Sequence, residues 1–172
     1  MIRMVFFREI PLTWKFLRAD PIHWWGAFGG WVACRLSRTA LAHMAVVVGQ
    51  ETAIEVGVDG TFTYEYGDWL IARSHRIHGY FEIPTTAGVP RVDLPIGPRK
   101  THIILFSLGH LLHLLTRGRF RWWQCTSPAI VILRDMGMPV TTPCSLPSDI
   151  WRQLHDAGFD YRRITRPHGA PA

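Results

Sequence analysis

The apolar positions change their period along the chain, and each change marks an element. Residues 21–38, Pro-Ile-His-Trp-Trp-Gly-Ala-Phe-Gly-Gly-Trp-Val-Ala-Cys-Arg-Leu-Ser-Arg, read as a helix. Asp20 is placed to cap it, Pro21 stands in its first turn, and Arg35 and Arg38 favour its C-terminal end. Its glycines weaken it, and they would let another backbone come close. The pattern then turns to strands. Ala42–Val48 is a β-branched run, Gly49-Gln-Glu-Thr52 is turn-like, and Ala53–Val58 is a second short strand. Asp59-Gly60 marks a tight turn into Thr61–Tyr66, which alternates like a half-exposed strand. Arg76–Ile83 makes a fourth strand, stopped by Pro84, and the four are expected to form an antiparallel meander.

Residues 85–98 are rich in Pro, Gly and Thr and read as a loop. An apolar helix is expected over 101–116, another over 125–136, ended by Gly137 and Pro139, and a last one over 148–157 with Ser145 or Ser148 as cap. Beyond Gly158 the chain is basic and is expected to be a flexible tail. Strands gathered together with helices before and after them predict an α+β domain over residues 1–158, followed by the tail at 159–172.

Composition narrows the class. A chain of 172 residues, 48% of them hydrophobic, is one domain with enough apolar side chains for a core. The first ten residues hold a short apolar run followed by charge, and Pro11 comes next, so no secretory signal is expected and synthesis in a reducing cytoplasm is. The segment at 101–116 is shorter than the roughly 20 apolar residues of a span, and it carries three histidines and a glycine, so no transmembrane span is expected. A net charge of +6 favours acidic partners, but the arginines are scattered and no specific nucleic-acid reader is indicated.

The candidate chemistry begins with Cys34, Cys125 and Cys144. None sits in a Cys-x-x-Cys arrangement, which argues against a disulfide framework or a cysteine-rich zinc site. Cys34, between Val32-Ala33 and Leu36, reads as a buried and inert thiol; Cys144 reads as an exposed loop thiol. Cys125 differs. It follows the aromatic stretch Arg121-Trp-Trp-Gln and opens a helix, where free N–H groups and the helix dipole lower a thiol pKa and can hold an oxyanion. Pro128 agrees with a helix start there. A cysteine that merely caps a helix fits the position equally well.

A thiol nucleophile needs a base. His43 opens an apolar strand, and Glu55 is the single acid inside the next one. With a three-residue turn after Val48, both point from one face of adjacent antiparallel strands, so the carboxylate could orient the imidazole. An idle strand-edge histidine and a structural carboxylate are the competing readings. His75 with His78, and His110 with His113, are spaced i, i+3 but have no acid or cysteine nearby, so no metal site and no cofactor are expected. Most of the eight tryptophans belong in a core, while Trp122 or Trp123 could wall a cleft beside Cys125.

Four stretches resemble one family in its own order. Ser37-Arg-Thr-Ala-Leu-Ala-His-Met-Ala-Val-Val-Val-Gly is similar to its histidine strand, and Ala53-Ile-Glu-Val to its acid strand. Gln-Cys-Thr-Ser-Pro-Ala-Ile-Val-Ile-Leu-Arg-Asp-Met-Gly resembles its cysteine helix, and Leu-Pro-Ser-Asp-Ile-Trp-Arg-Gln-Leu its closing helix. The family is the circularly permuted NlpC-type branch of the papain-like cysteine peptidases and amidases, which includes YiiX-type hydrolases and the lecithin:retinol acyltransferase group. The chain departs from it at Ala42, where serine precedes the histidine, and at Ser127, where glutamate is frequent.

The resemblance implies a papain-like fold, with Cys125 as nucleophile, His43 as base, Glu55 as orienting acid, and a substrate cleft near Trp123, Gln124, Thr126 and Ser127. It implies a cysteine-dependent amide hydrolase acting through a thioacyl-enzyme. The expected substrate is a peptide of the bacterial cell wall, reached in a phage tail by analogy with similar proteins encoded among tail genes. Two alternatives stand beside it. One is a structural or assembly component of a virion or other complex, docking through its aromatic surface and basic tail. The other is a lipid acyl hydrolase or acyltransferase.

Overall fold

Met4-Val5-Phe6-Phe7 has no polar alternation, and in the fold this run is buried on both faces. A computed structural model of the chain describes residues 1–9, 21–57, 60–85, 108–109, 111–113, 115–116, 124–140 and 146–164, with backbone alone at 21–26. Among these residues β1 (Ile2–Arg8) runs through the middle of a six-stranded sheet. The other strands are β2 (Leu41–Val48), β3 (Thr52–Gly57), β4 (Gly60–Glu65), β5 (Ile77–Ile83) and β6 (Tyr161–Arg163). All neighbours are antiparallel, in the order β4-β3-β2-β1-β5-β6. The helices are α1 (Pro21–Ser37), α2 (Tyr66–Arg73), α3 (Ser127–Asp135) and α4 (Pro147–Asp156). The architecture is α+β.

The expected meander holds for β2, β3 and β4 and breaks after them. β5 does not pair with β4, because β1 takes the place between β2 and β5. The chain leaves β4 through α2 and a single 3-10 turn before β5 begins. Residues 161–163, expected in the flexible tail, form β6 instead. Tyr161 accounts for this, since its ring packs against Phe6, Phe81 and Trp151. Gly79 makes room for it: a Cβ there would stand 2.6 Å from the Arg162 carbonyl oxygen and 2.7 Å from the Tyr161 ring. Part of the apolar segment at 101–116 is helical, at 108–109, 111–113 and 115, and the rest of that expectation lies outside the described residues. In α4 Ser148 lies inside the helix and Leu146 holds the N-cap position. Asp149 accepts the Leu146 N–H at 2.9 Å, and Ser145 lies outside the described residues.

Two apolar clusters cover the two faces of the sheet. On one face Met4, Phe6, Met44, Val46 and Phe81 meet Ile132 and Leu133 of α3 and Ile150 and Leu154 of α4. On the other, Val5, Phe7, Ala45, Val47 and Ala53 meet Trp69 of α2. Burying each of the larger side chains stabilises the fold by about 1.5–3 kcal/mol, so most of the apolar term comes from the first face, where the fully buried Phe, Met, Ile and Leu concentrate. Among the described residues, no helix is long and apolar enough to cross a membrane.

Candidate active site

β2 places the histidine, and the way α1 ends places β2. Arg38 takes a positive φ of 54°, and the Thr39 N–H reaches back to the Cys34 carbonyl at 3.2 Å, closing the helix with a Schellman turn. Ser37 Oγ donates to the Ala33 carbonyl at 2.7 Å and shares a 2.8 Å hydrogen bond with Thr39 Oγ1, which accepts the Leu41 N–H. Only three residues separate α1 from β2. The helix then lies close against that strand, since a Cβ on Gly30 would come within 3.1 Å of Ala42 Cβ. The alanine that stands before His43 is therefore a packing position.

His43 faces Phe7 across the β1–β2 ladder, and its ring lies 5.5 Å from the Phe7 ring. The ladders of β1 are irregular here on both sides, with register shifts at Phe7/Arg8 against β2 and at Phe6/Phe7 against β5. Such bulges add twist and re-aim side chains at the end of a sheet. On the other strand, Glu55 pairs with Ala45, which puts it diagonally across from His43 on the same face. The diagonal is closed by a hydrogen bond of 3.1 Å between His43 Nε2 and Glu55 Oε1. The second carboxylate oxygen accepts the Trp69 indole N–H at 3.0 Å and the Arg73 Nε–H at 3.4 Å. Glu55 is thus held from two sides by β2 and α2.

Cys125 comes from the opposite face, where it packs at the margin of the cluster beneath α3. Its side chain comes near enough to that of His43 to favour the charged imidazole. With Nε2 engaged by Glu55, Nδ1 is the ring nitrogen left for the thiol. Residues 82 apart in sequence therefore meet at the bulged end of the sheet, in the chain Cys125–His43–Glu55. His43 keeps 22% of its side chain accessible and Glu55 12%, so both are largely shielded from solvent.

The helix begins later than the cysteine. α3 starts at Ser127 with Thr126 at its N-cap and Pro128 in its first turn, and Cys125 stands in the turn just before. That turn is closed twice between the same residues. The Ser127 N–H donates to the Gln124 carbonyl at 2.9 Å, and the Gln124 N–H donates to Ser127 Oγ at 2.9 Å. The amide of Gln124 donates to Thr126 Oγ1 at 2.9 Å and lies 2.8 Å from His113 Nε2. Gln124 and Thr126 are buried, so these two, expected along a cleft, form the scaffold that fixes the cysteine. Ser127 spends its hydroxyl on the same turn. Trp123 and Trp122 lie outside the described residues. Of the N–H groups expected to hold an oxyanion, that of Ser127 is bonded to the Gln124 carbonyl, and Pro128 has none.

Charge follows geometry. Burial opposes the imidazolium of His43, but hydrogen bonds and charge from Cys125 and Glu55 outweigh it and hold the pKa up at about 9. Burial likewise opposes the Glu55 carboxylate, yet His43, the Trp69 N–H and Arg73 bring it down to about 2. Cys34 shows the contrast: it is buried in α1, and burial, with Glu9 adding and Arg35 offsetting, pushes its thiol up to about 11. Cys144 lies outside the described residues.

No family model, curated protein or solved structure matches this chain. The functional argument rests on the residues themselves. Of those expected at the site, Cys125, His43 and Glu55 come together. Among the described residues no three His, Cys, Asp or Glu side chains cluster as metal ligands. Trp69 and Arg73 were not legible as site residues, because α2 is only eight residues long and buries one of them. His113 was legible as a misplaced polar residue on an apolar helix, and its partner is an amide beside the cysteine.

Proposed function

We propose that this protein is a permuted papain-like thiol hydrolase of amides, with Cys125 as nucleophile, His43 as general base and acid, and Glu55 as the group that orients the imidazole. The observation that carries the reading is the meeting of these three side chains from two faces of one sheet, with His43 bonded to Glu55 at 3.1 Å and Cys125 near enough to shift its charge. In the first half-reaction the Cys125 thiolate attacks the scissile carbonyl carbon, and the tetrahedral oxyanion collapses as the amine leaves with the proton held by His43. A thioester on Cys125 remains. In the second, His43 takes a proton from water, hydroxide attacks the thioester, and the acid leaves as the thiolate returns. Glu55 keeps Nε2 protonated and Nδ1 aimed at sulfur throughout, and it stabilises the imidazolium.

The substrate class proposed is a cell-wall peptide, on the strength of the four stretches similar to permuted NlpC-type enzymes. Delivery in a phage tail is an analogy from the same resemblance. Purified peptidoglycan incubated with the protein releases new amino groups, and Cys125→Ala abolishes the release; equal release by both proteins overturns the assignment. A second reading, hydrolysis or transfer of a lipid acyl group, is favoured by one feature. Leu108, Leu111, Leu112 and Leu115 are exposed at helical spacing, on the segment whose buried His113 touches the scaffold of Cys125. Release of fatty acid from phospholipid vesicles, with peptidoglycan untouched, selects that reading.

A further inference from the structure

Several cations stand at the bulged end of the sheet, and one of them is partly buried without a partner among the described residues. His43 is bonded to Glu55 at 3.1 Å. Glu55 balances Arg73, at 3.4 Å. Arg76, in the 3-10 turn that leads into β5, has no such partner: among the described residues its guanidinium makes no ion pair or hydrogen bond, and its Nε is buried and unsatisfied. It lies over the Phe7 ring, 5.8 Å from the centre, and the same ring carries His43 at 5.5 Å. The cation and the catalytic base are therefore one phenyl ring apart. Burial pushes the Arg76 pKa down, and attraction to Glu55 is opposed by repulsion from Arg73. Other cations stand at this same end, Arg8 where β1 finishes and Arg163 opposite Gly79 where β6 finishes.

A half-buried guanidinium without a counter-ion is costly to keep, and buried charges in proteins are paired with few exceptions. We infer that Arg76 is an anion-recognition residue of the active site, and that the acyl substrate carries a carboxylate close to its scissile carbonyl. The guanidinium fork matches a carboxylate in plane and spacing, and the Phe7 face holds the fork in place from beneath. A carboxylate seated there supplies the counter-ion that the guanidinium lacks among the described residues. The inference rests on Cys125 being the reactive thiol, and it makes the site selective for anionic acyl groups over neutral ones of the same size.

Two alkylating reagents of nearly equal shape test it without knowledge of the substrate. Iodoacetate and iodoacetamide each form a bond from the Cys125 sulfur to a methylene carbon and expel iodide, but only the first carries a carboxylate. The rate at Cys125 is read for each by peptide mass spectrometry at constant ionic strength. Arg76→Gln is expected to lower the iodoacetate-to-iodoacetamide ratio by about tenfold, the effect of one nearby charge in a partly screened site, and Arg76→Lys to restore part of it. Succinate is expected to protect wild-type Cys125 from iodoacetamide where the neutral succinamide does not, a measurement that needs no variant. An unchanged ratio in Arg76→Gln, or equal protection by succinate and succinamide, overturns the anion site alone. A wild-type Cys125 that iodoacetamide modifies no faster than Cys34 overturns the thiol reading, and the anion site falls with it.

Discussion

His43 and His78 flank the same residue of the central strand and have opposite electrostatic characters. Both sit beside Phe7 at the bulged end of β1: His43 faces it from β2, and His78 is squeezed out of register between Ile77 and Gly79 on β5. Each makes one short side-chain hydrogen bond, His43 to Glu55 at 3.1 Å and His78 Nδ1 to the Tyr161 hydroxyl at 2.7 Å. Burial disfavours the charged form of both. At His43 an anion on one side and a thiol on the other reverse that effect. At His78 nothing does, because its partner is a phenol whose own pKa is raised by burial, and Arg163 and Arg8 add repulsion. The His78 pair stays neutral and pins β6 to the sheet. Both side chains are partly exposed and each makes one hydrogen bond; the charge of the partner separates the histidine proposed as a base from the neutral one.

The strongest way to break this comparison is to neutralise the partner that makes the difference. Glu55→Gln retains the size of the side chain but removes the charge that favours the imidazolium, and it offers Trp69 and Arg73 an amide in place of a carboxylate. Hydrolysis per folded molecule is expected to fall by about 10²–10⁴-fold, the usual effect of losing such a triad member, and Cys125 alkylation at pH 6 to slow with it. Circular dichroism and thermal unfolding establish the folded fraction. A variant that unfolds readily yet keeps full activity per folded molecule makes Glu55 a structural carboxylate, and His43 then has no advantage over His78.

Stability against pH sharpens the contrast without any substrate. The Glu55 pKa falls from 4.5 to about 2 on folding, so its contribution is complete above pH 4.5 and is lost as pH falls through about 2. His43 rises from 6.5 to about 9, so its contribution is complete below pH 6.5 and is lost as pH rises through about 9. The pair therefore stabilises most between pH 4.5 and 6.5. The Glu55 shift corresponds to roughly 3 kcal/mol of preference for the carboxylate. His78 has the opposite sign, since its depressed pKa supports the fold above pH 6.5 and costs stability once it is forced to protonate. Urea unfolding from pH 3 to 10 is expected to show the gap between wild type and Glu55→Gln widest in that window and closing toward both ends. A gap that is constant with pH would mean that Glu55 acts through packing or shape instead of charge.

What was legible in the sequence follows the same division. The His43–Glu55 pair could be placed because the turn after Val48 has three residues, which sets the register of two short strands and therefore the face of each side chain. Cys125 could be placed near a helix start because Pro128 marks one. Its lying outside α3 could not be read, since the Gln124–Ser127 turn imitates a first helical turn with a side-chain hydroxyl. β1 was hidden by its centrality: a strand buried on both faces loses the alternation that identifies strands, and a run of four apolar residues carries little period of any kind. β6 was hidden for another reason. Arg162 and Arg163 make it read as tail, and only the tertiary slot over Gly79 turns Tyr161 into a reason for pairing. The polar residues around Glu55 come from α2, which is too short for its periodicity to reveal a buried face.

Tyr161→Phe is the mildest perturbation and tests the other half of the comparison. Phenylalanine keeps the ring contacts with Phe81 at 4.9 Å, Trp151 at 5.7 Å and Phe6 at 6.1 Å, and removes only the hydroxyl that bonds His78. One neutral hydrogen bond contributes about 1 kcal/mol, so a loss of that size in urea unfolding is expected. The loss should be largest above pH 6.5, where His78 is neutral and the bond is intact in the wild type. Cys125 alkylation by iodoacetamide is expected to stay within about twofold, because no charge near His43 changes and the hydroxyl lies on the far side of β1. If Tyr161→Phe slows Cys125 as much as Glu55→Gln does, the two histidines communicate through Phe7 and the bulged strand end. The β5–β6 edge would then belong to the active site instead of merely closing the sheet beside it.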